Sequence, residues 1–388
     1  MSGIVLSAAV RQNLLSLQDT AALLSTTQNR LATGNKVNSA LDNPTNFFTA
    51  QGLNNRASDI NNLLDSIGNG VQVLQAANTG LTSLQKLVDT AKSIANQVLQ
   101  APAGYTAKST STSTTLVGTA SAANLVDGVG FKANQTLAIA ASGELPALTV
   151  TFGATESLDQ LNTSLAAGGL TASIDSTNHL VITTTNDYAG QTIGTITPGS
   201  TPGTTTFGAG TAPTADATSQ AIRTSLVSQY NNIITQITTT SQDASFNGIN
   251  LLSGDNLKLT FDETAKSTLS IQGVTYNAAG LGLGLLTTGT DFLDNNSANA
   301  ALAKLSSAST VIRTEASALG SNLSVVQLRQ DFNKSLISVL QTGASNLTLA
   351  DANEEAANSQ ALSTRQSIAV SALSLANQSQ QSVLQLLR

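Results

Sequence analysis

Between residues 44 and 100 the chain places Ile60, Leu63, Ile67, Gly70, Leu74, Ala77, Leu81, Leu84, Val88, Ala91, Ala95 and Val98 at unbroken steps of three and four. That spacing collects the apolar side chains on one face of a helix. At 1.5 Å per residue such a helix reaches about 85 Å. An element of that length cannot bury its stripe on itself and needs partner helices. Pro44 suits the first helical position, where its missing N–H costs nothing. Gly68, Gly70 and Gly80 each cost about 1 kcal/mol relative to Ala inside a helix, so they mark close packing or a bend.

The same period recurs at both ends. Val10, Leu14, Leu17, Ala21, Leu24, Gln28 and Leu31 form a heptad stripe over residues 4–33, which Gly34 ends as a C-terminal cap. Residues 34–44 read as a linker. Residues 351–388 contain no Gly and no Pro, and there Leu362, Ala369, Leu373, Ala376, Val383 and Leu387 repeat the step, with Gln366 and Gln380 in register. The final Val383-Leu384-Gln385-Leu386-Leu387 is more apolar than a free tail should be. Two further helices carry Ile222, Leu226, Tyr230, Ile233 and Ile237, then Leu302, Leu305, Ile312, Ala316, Leu319, Leu323, Val326, Ile337, Leu340 and Leu347. Between them, 257–261 and 268–274 read as strands.

From 101 to about 218 the composition turns to Thr, Ser and Gly. Alternating or apolar runs at 136–140, 148–152, 170–174 and 180–183 predict strands. Asp175-Ser176-Thr177-Asn178 predicts the turn joining the last two. Residues 156–167 read as a short helix with Ser157 or Thr155 as N-cap. This segment carries Lys108 and Lys132 against Asp127, Glu144, Glu156, Asp159, Asp175, Asp187 and Asp216, or −5 of the chain's formal −6.

The expected fold class is mainly α, a long antiparallel helical rod or coiled coil with a small β-hairpin region. An inserted β-rich or α+β domain sits in its middle. The expected divisions are 1–43 (arm), 44–100 (first rod helix), 101–218 (insert), 219–347 (rod helices with the hairpin) and 348–388 (second arm).

The same residues limit function. The acidic balance and the lack of a Lys/Arg cluster argue against nucleic acid. No apolar run approaches the roughly 18 residues of a membrane span, and 1–4 lack the basic flank of a secretory signal. The chain has no Cys and one His. His179 beside a turn reads as a surface residue rather than a catalytic or metal centre. Asp262-Glu263 and Glu354-Glu355 read as solvated or helix-terminal charge, and Gly280-Leu281-Gly282-Leu283-Gly284 as a loop without nucleotide-binding spacing. Neither an enzyme nor a cofactor is expected. Asn134-Gln135-Thr136 and Asn162-Thr163-Ser164 match the N-glycosylation sequon, and the Ser/Thr-rich insert offers hydroxyls for O-glycans.

Over about 1–100 and 219–388 the chain resembles bacterial flagellin. The N-terminal likeness runs through Gln28-Asn29-Arg30-Leu31-Ala32-Thr33-Gly34-Asn35-Lys36-Val37-Asn38-Ser39-Ala40. Phe246-Asn247-Gly248 with Leu251-Leu252 carries the middle. The C-terminal likeness is Ala376-Asn377-Gln378 and Gln381-Ser382-Val383-Leu384-Gln385-Leu386-Leu387-Arg388. The resemblance implies a filament subunit whose arms form an inner tube, whose rods form the next shell and whose insert faces outward. It implies unfolded export through the flagellar secretion channel to the cell exterior. The implied partners are many copies of the chain itself, an export chaperone, the filament cap and hook-associated proteins. The insert follows the first rod helix, whereas well-known members carry theirs after the hairpin strands.

The resemblance also points to a segment that vertebrate flagellin receptors read on the first rod helix. Here Gln85 matches and Asp89 keeps an acid, while Lys86 stands for Arg and Thr90 for Leu. Lys lacks the planar fork of Arg and Thr offers less apolar area, so weak receptor activation is expected.

The stripes alone fit either an intramolecular bundle or an intermolecular assembly. With the terminal motifs, assembly is the expectation. Its residues are Val10, Leu14, Leu17, Leu24 and Leu31 on the first arm, with Leu362, Ala369, Leu373, Ala376, Val383, Leu384, Leu387 and Arg388 on the last. Residues 351–388 are expected to order only on assembly. A hook–filament junction protein and a surface ligand-binder or adhesin are the competing classes.

Overall fold

The computed structural model describes residues 8–116, 122–126, 131–199 and 205–386. In chain order the elements are α1 (Ala8–Thr33), α2 (Pro44–Gln100), β1 (Tyr105–Ala107), β2 (Thr110–Leu116), β3 (Thr136–Ile139), β4 (Leu148–Thr151), α3 (Leu158–Ala166), β5 (Leu170–Ile174), β6 (His179–Thr184), β7 (Ile196–Pro198), β8 (Thr214–Ala215), α4 (Ala217–Asp243), β9 (Leu257–Thr260), β10 (Thr268–Ile271), α5 (Asn295–Thr348) and α6 (Ala352–Leu386). The class is mainly α with long helices toward both termini and a smaller sheet-containing part, as the periodicity predicts. Two compact units divide the chain: Met1–Gly70, Lys258–Leu269 and Val325–Arg388 form one, and Val71–Leu257 with Ser270–Ser324 the other.

In the first unit α1 packs along α6. Ala57 and Ile60 of α2 share a core with Ile337 and Leu340 of α5, and Leu53, Leu64 and Leu336 pack against it. The β9–β10 turn is tied to these helices. Asn333 Nδ2 donates to the Phe261 carbonyl at 3.0 Å, Arg329 lies 5.8 Å from the centre of the Phe261 ring, and Arg56 pairs with Glu263 at 2.7 Å. Gly70 is needed here because a Cβ would run into the Leu259 side chain.

In the second unit α2 buries Leu74, Ala77, Leu81, Leu84, Val88, Ala91, Ala95 and Val98, the stripe that the spacing predicts. Facing demands are met by Leu226, Val227, Tyr230, Ile234 and Ile237 of α4 and by Leu305, Ala308, Ile312 and Leu319 of α5. A Cβ on Gly80 would stand 2.6 Å from Ala244 Cβ. Of Gly68, Gly70 and Gly80, the last two therefore mark close packing. Gly68 has nothing nearer than Gln330 Nε2 at 4.0 Å.

The inserted part holds two three-stranded sheets, ordered β2-β6-β5 and β4-β3-β7, around one apolar core. Phe131 and Phe152 stack there with centroids 5.0 Å apart. β5 and β6 form the hairpin read from sequence, in antiparallel register Ala172↔Ile182. Helix α3 starts at Ser157, whose hydroxyl accepts from Gln160 N–H while the Gln160 side chain accepts from Ser157 N–H, a complete capping box. The short strands β1, β2, β7 and β8 carry no apolar alternation that would mark them in sequence. β2 is Thr-Ser-Thr-Ser-Thr-Thr-Leu, and its inward positions are Ser111 and Ser113. Their hydroxyls satisfy main chain, Ser111 donating to Gly208 O at 2.7 Å and Ser113 accepting from Leu180 N–H at 3.0 Å.

Candidate self-assembly surface

The α1–α6 pair is built from a three-four stripe on each helix. On α6 the half-buried positions are Gln366, Leu362, Ala369, Leu373 and Ala376, below the buried Glu355. That register agrees with the spacing. On α1 the covered positions are Val10, Asn13, Leu17, Thr20, Leu24, Thr27 and Arg30, whereas Leu14, Ala21, Gln28 and Leu31 are exposed. The stripe read from sequence is thus displaced on α1 by part of a turn. The physical reason lies in threonine. Thr20 turns its hydroxyl back to Ser16 O at 2.7 Å and presents its methyl, so it serves an interface that apolar counting misses.

The join between arms and linkers is specific. Arg30 Nη1 meets Glu355 Oε1 at 3.2 Å. Lys36 and Val37 N–H both donate to Thr348 O, at 2.7 and 3.3 Å, and Ala350 N–H donates to Gly34 O at 3.0 Å. Gly34 adopts φ 71°, which only Gly takes without strain. Asp42 accepts from Asn38 and Ser39 N–H at 3.0 and 2.8 Å, and those bonds hold its carboxyl below the usual range.

The same helices carry apolar residues that the pair leaves uncovered. Leu15, Leu23, Ile368, Val370 and Leu375 are 52–69% exposed. Leu328, Phe332 and Val339 of α5 and Phe48 of α2 are likewise exposed in the first unit. Contiguous apolar exposure is the usual mark of an interaction face. These residues were missed by stripe counting because they fall between stripes. In a chain so poor in charge, the off-stripe Leu and Ile were the available signal. Val383 and Leu384 fall in the last turns of α6, and Leu387 and Arg388 lie outside the described residues.

No group of three or more His, Cys, Asp or Glu side chains able to hold a metal occurs among the described residues. His179 stands at the start of β6, its Nδ1 2.9 Å from Thr177 Oγ1 and 3.8 Å from Asp175. Nor is any described helix long and apolar enough to cross a membrane.

The family model for the bacterial flagellin N-terminal helical region matches residues 5–126, and the one for the C-terminal helical region matches residues 302–387. The chain belongs to the bacterial flagellin family. Flagellins FljK and FljM of Caulobacter vibrioides are 32% and 31% identical over 164 residues, which is 42% of this chain and 59% of each relative. Flagellin A of Rhizobium meliloti is 39% identical over 90 residues, 23% of either chain. The match therefore spans 59% of the length of FljK and FljM. Both helical regions of the flagellin family fall on the ends of the chain, and residues 127–301 lie outside them.

The segment expected from the resemblance to be read by receptors lies on α2. Lys86, Asp89 and Thr90 are exposed, and Thr90 Oγ1 donates to Lys86 O at 2.9 Å. Gln85 is half-buried and its Nε2 bridges Asp89 Oδ1 at 3.0 Å and Ser309 Oγ of α5 at 2.9 Å. Gln85 is thereby engaged within the helical core, whereas Lys86 and Thr90 face outward.

Proposed function

We propose that this chain is the structural subunit of a bacterial flagellar filament, assembling head to tail with many copies of itself outside the cell and serving swimming motility. The observation that carries the reading is the apolar surface left on α1 and α6 after they have paired with each other. An open, non-closing contact through such surfaces generates a helical polymer. Val10, Leu17, Leu24, Leu362, Ala369, Leu373 and Ala376 hold the two arms together. Leu14 and Leu31 join Leu15, Ile368 and Leu375 in contacts between copies, and Val383, Leu384, Leu387 and Arg388 extend the same wall. The proposed layers are 1–43 with 348–388 as inner core, 44–100 with 219–347 as the shell around it, and 101–218 as the outward, acidic insert. Near-neutral arms and rods avoid repulsion between stacked copies, and the insert keeps the exterior solvated.

Ordering of the arms is coupled to assembly, which suits export of an unfolded chain through the flagellar channel with a chaperone on the last helix. The filament cap and the hook-associated proteins complete the partners. The role is structural rather than enzymatic. Electron microscopy of purified protein after salt-induced assembly tests the reading. Filaments are expected from the full chain and from a variant lacking 101–218, and none from one lacking 370–388. Filaments from that last variant, or none from the full chain, overturn it.

A further inference from the structure

The chain contains two Asn-Gly pairs, Asn69-Gly70 and Asn247-Gly248, and the fold treats them oppositely. Asn69-Gly70 lies inside α2, where the helical bonds fix the peptide unit and Gly70 packs against Leu259. Asn247 and Gly248 form the tip of a two-residue turn between α4 and β9. Phe246 and Ile249 pair across it, each N–H donating to the other's carbonyl at 3.0 Å. Asn247 has φ 51° and Gly248 φ 80°, so both central residues are left-handed, as in a type I′ turn.

The chain just after the turn is clamped. Asn250 is buried, its Oδ1 accepts from Leu252 N–H at 2.9 Å, and its Nδ2 donates to Ser241 O and Gln242 O at 2.9 and 2.8 Å. The tip has no such restraint. Both of its residues are exposed, and a Cβ on Gly248 would meet nothing within 4 Å. Among the described residues no hydrogen bond engages the Asn247 side chain or the Gly248 N–H. An asparagine side chain can close on the next backbone nitrogen when no Cβ blocks the approach. Closure needs that nitrogen eclipsed with the asparagine Cβ, whereas a type I′ turn holds it on the far side. Rotating the one peptide unit between the two residues converts type I′ to type II′, whose first central residue has φ of about +60° and ψ of about −120°. At that ψ the nitrogen and Cβ are eclipsed. Asn247 already holds the required φ, and the change of sign at the second position costs a glycine little.

We propose that Asn247 is a self-modifying site, converted in the folded protein to aspartate and isoaspartate through a cyclic imide with Gly248. Solvent hydroxide removes the Gly248 amide proton, and the nitrogen attacks Asn247 Cγ. The Cγ–Nδ2 bond breaks, ammonia leaves with a proton from water, and a five-membered imide remains. Water then opens either of the imide's carbonyl–nitrogen bonds. One opening gives aspartate, and the other gives isoaspartate, with the backbone running through Cγ. The balance is one water consumed and one ammonia released. Each event places a carboxylate on a turn, Phe246-Asn247-Gly248-Ile249, that carries no charge. The inference stands on this turn alone and does not depend on filament formation.

The test incubates the folded full chain in mildly alkaline buffer beside a sample in concentrated urea, and follows both Asn-Gly pairs by peptide mapping and mass spectrometry. In the folded protein Asn247 is expected to convert at least about tenfold faster than Asn69. In urea both pairs are free of the fold, and the ratio should fall toward one. Aspartate and isoaspartate should appear together, since one imide yields both. Equal rates at the two pairs in the folded protein would trace the conversion to global unfolding and overturn the proposal. An Asn247 that stays intact while the urea sample converts overturns it as well. Aspartate without isoaspartate would mean direct hydrolysis of the side-chain amide, with no part for Gly248, and overturns it equally.

Discussion

Arg223 donates from Nη1 to the carbonyl of Phe292 at 2.7 Å, and both residues are buried to within 1%. Phe292 sits in the left-handed region at φ 63°, a strained place for a bulky side chain, and its N–H is held by Ser297 Oγ at 2.8 Å. Three further donors of the guanidinium go to Pro102 O from Nε at 2.7 Å, and from Nη2 to Ala101 O and Asn295 Oδ1, each at 3.1 Å. One planar fork thus gathers the exit of α2, the body of α4 and the approach to α5. No carboxylate of a described residue lies within ion-pair distance of it. Backbone carbonyls, with the buried Asp294 in the vicinity, accommodate the charge instead, and burial raises the Asp294 carboxyl above its ordinary range.

Arg223→Lys is therefore not conservative. An ammonium offers a compact point charge in place of the fork, leaving buried carbonyls unsatisfied and Phe292 less firmly held. A loss of about 3 kcal/mol in unfolding free energy is expected, with the far-ultraviolet helical signal retained. Urea titration followed by circular dichroism checks both. An unchanged midpoint would remove Arg223 from this role.

The helical glycines make a pair of predictions of opposite sign. Helix propensity alone favours Ala over Gly by about 1 kcal/mol. At Gly68 there is room, so Gly68→Ala should stabilise by up to about that amount. At Gly80 the new methyl would stand 2.6 Å from Ala244 Cβ and 2.7 Å from Leu252 Cδ1. Overpacking of this kind costs about 1–3 kcal/mol, so Gly80→Ala should destabilise. Thermal melts of the two variants read the difference directly.

Long elements were legible because their signal is redundant. The α2 stripe repeats over many turns, and both bounds, Pro44 and Gln100, agree with the structure. Capping chemistry made Ser157 readable, and the Asp175-to-Asn178 turn gave the hairpin. Two kinds of information were not legible. Strand β2 buries serines whose hydroxyls are satisfied by distant main chain, so its interior has no apolar signature. The α1 interface uses Thr20 and Thr27, which hydropathy assigns to solvent. Arg223 was silent for a related reason. A buried guanidinium is specified by carbonyls from distant parts of the chain, and no local pattern announces them.

Alkaline pH supplies a further test. Burial pushes the Tyr230 hydroxyl up to about 12, against 10.0 for an ordinary tyrosine. Burial also raises Tyr276, and Glu315, which accepts its hydroxyl proton at 2.9 Å, adds to the shift. A raised folded value means that the folded state binds the proton more tightly. The contribution is therefore complete below pH 10.0 and is lost as pH rises from there through about 12. Tyr230→Phe cannot titrate and should flatten part of that slope. Denaturation midpoints taken across this window, with tyrosinate absorbance alongside, measure it. A parental slope in Tyr230→Phe would assign the loss elsewhere.

The uncovered face of the arms separates folding from assembly. Leu375 is 69% exposed and Ile368 is 63% exposed, so neither contributes much burial to the α1–α6 pair. Replacing either with Glu should change the stability of the lone chain by no more than about 0.5 kcal/mol. Between copies the same change would bury an unpaired carboxylate, which costs several kcal/mol in the absence of a partner. Leu375→Glu and Ile368→Glu should therefore abolish salt-induced filaments while leaving the melting curve intact. Leu373→Ala, on the half-buried side of α6, should instead weaken the pairing with α1 that forms on assembly, so that filaments still form but come apart at a lower temperature. Electron microscopy and thermal melts on the same preparations decide between the two behaviours. Normal filaments from both Glu variants would place the contacts between copies on another face of the arms.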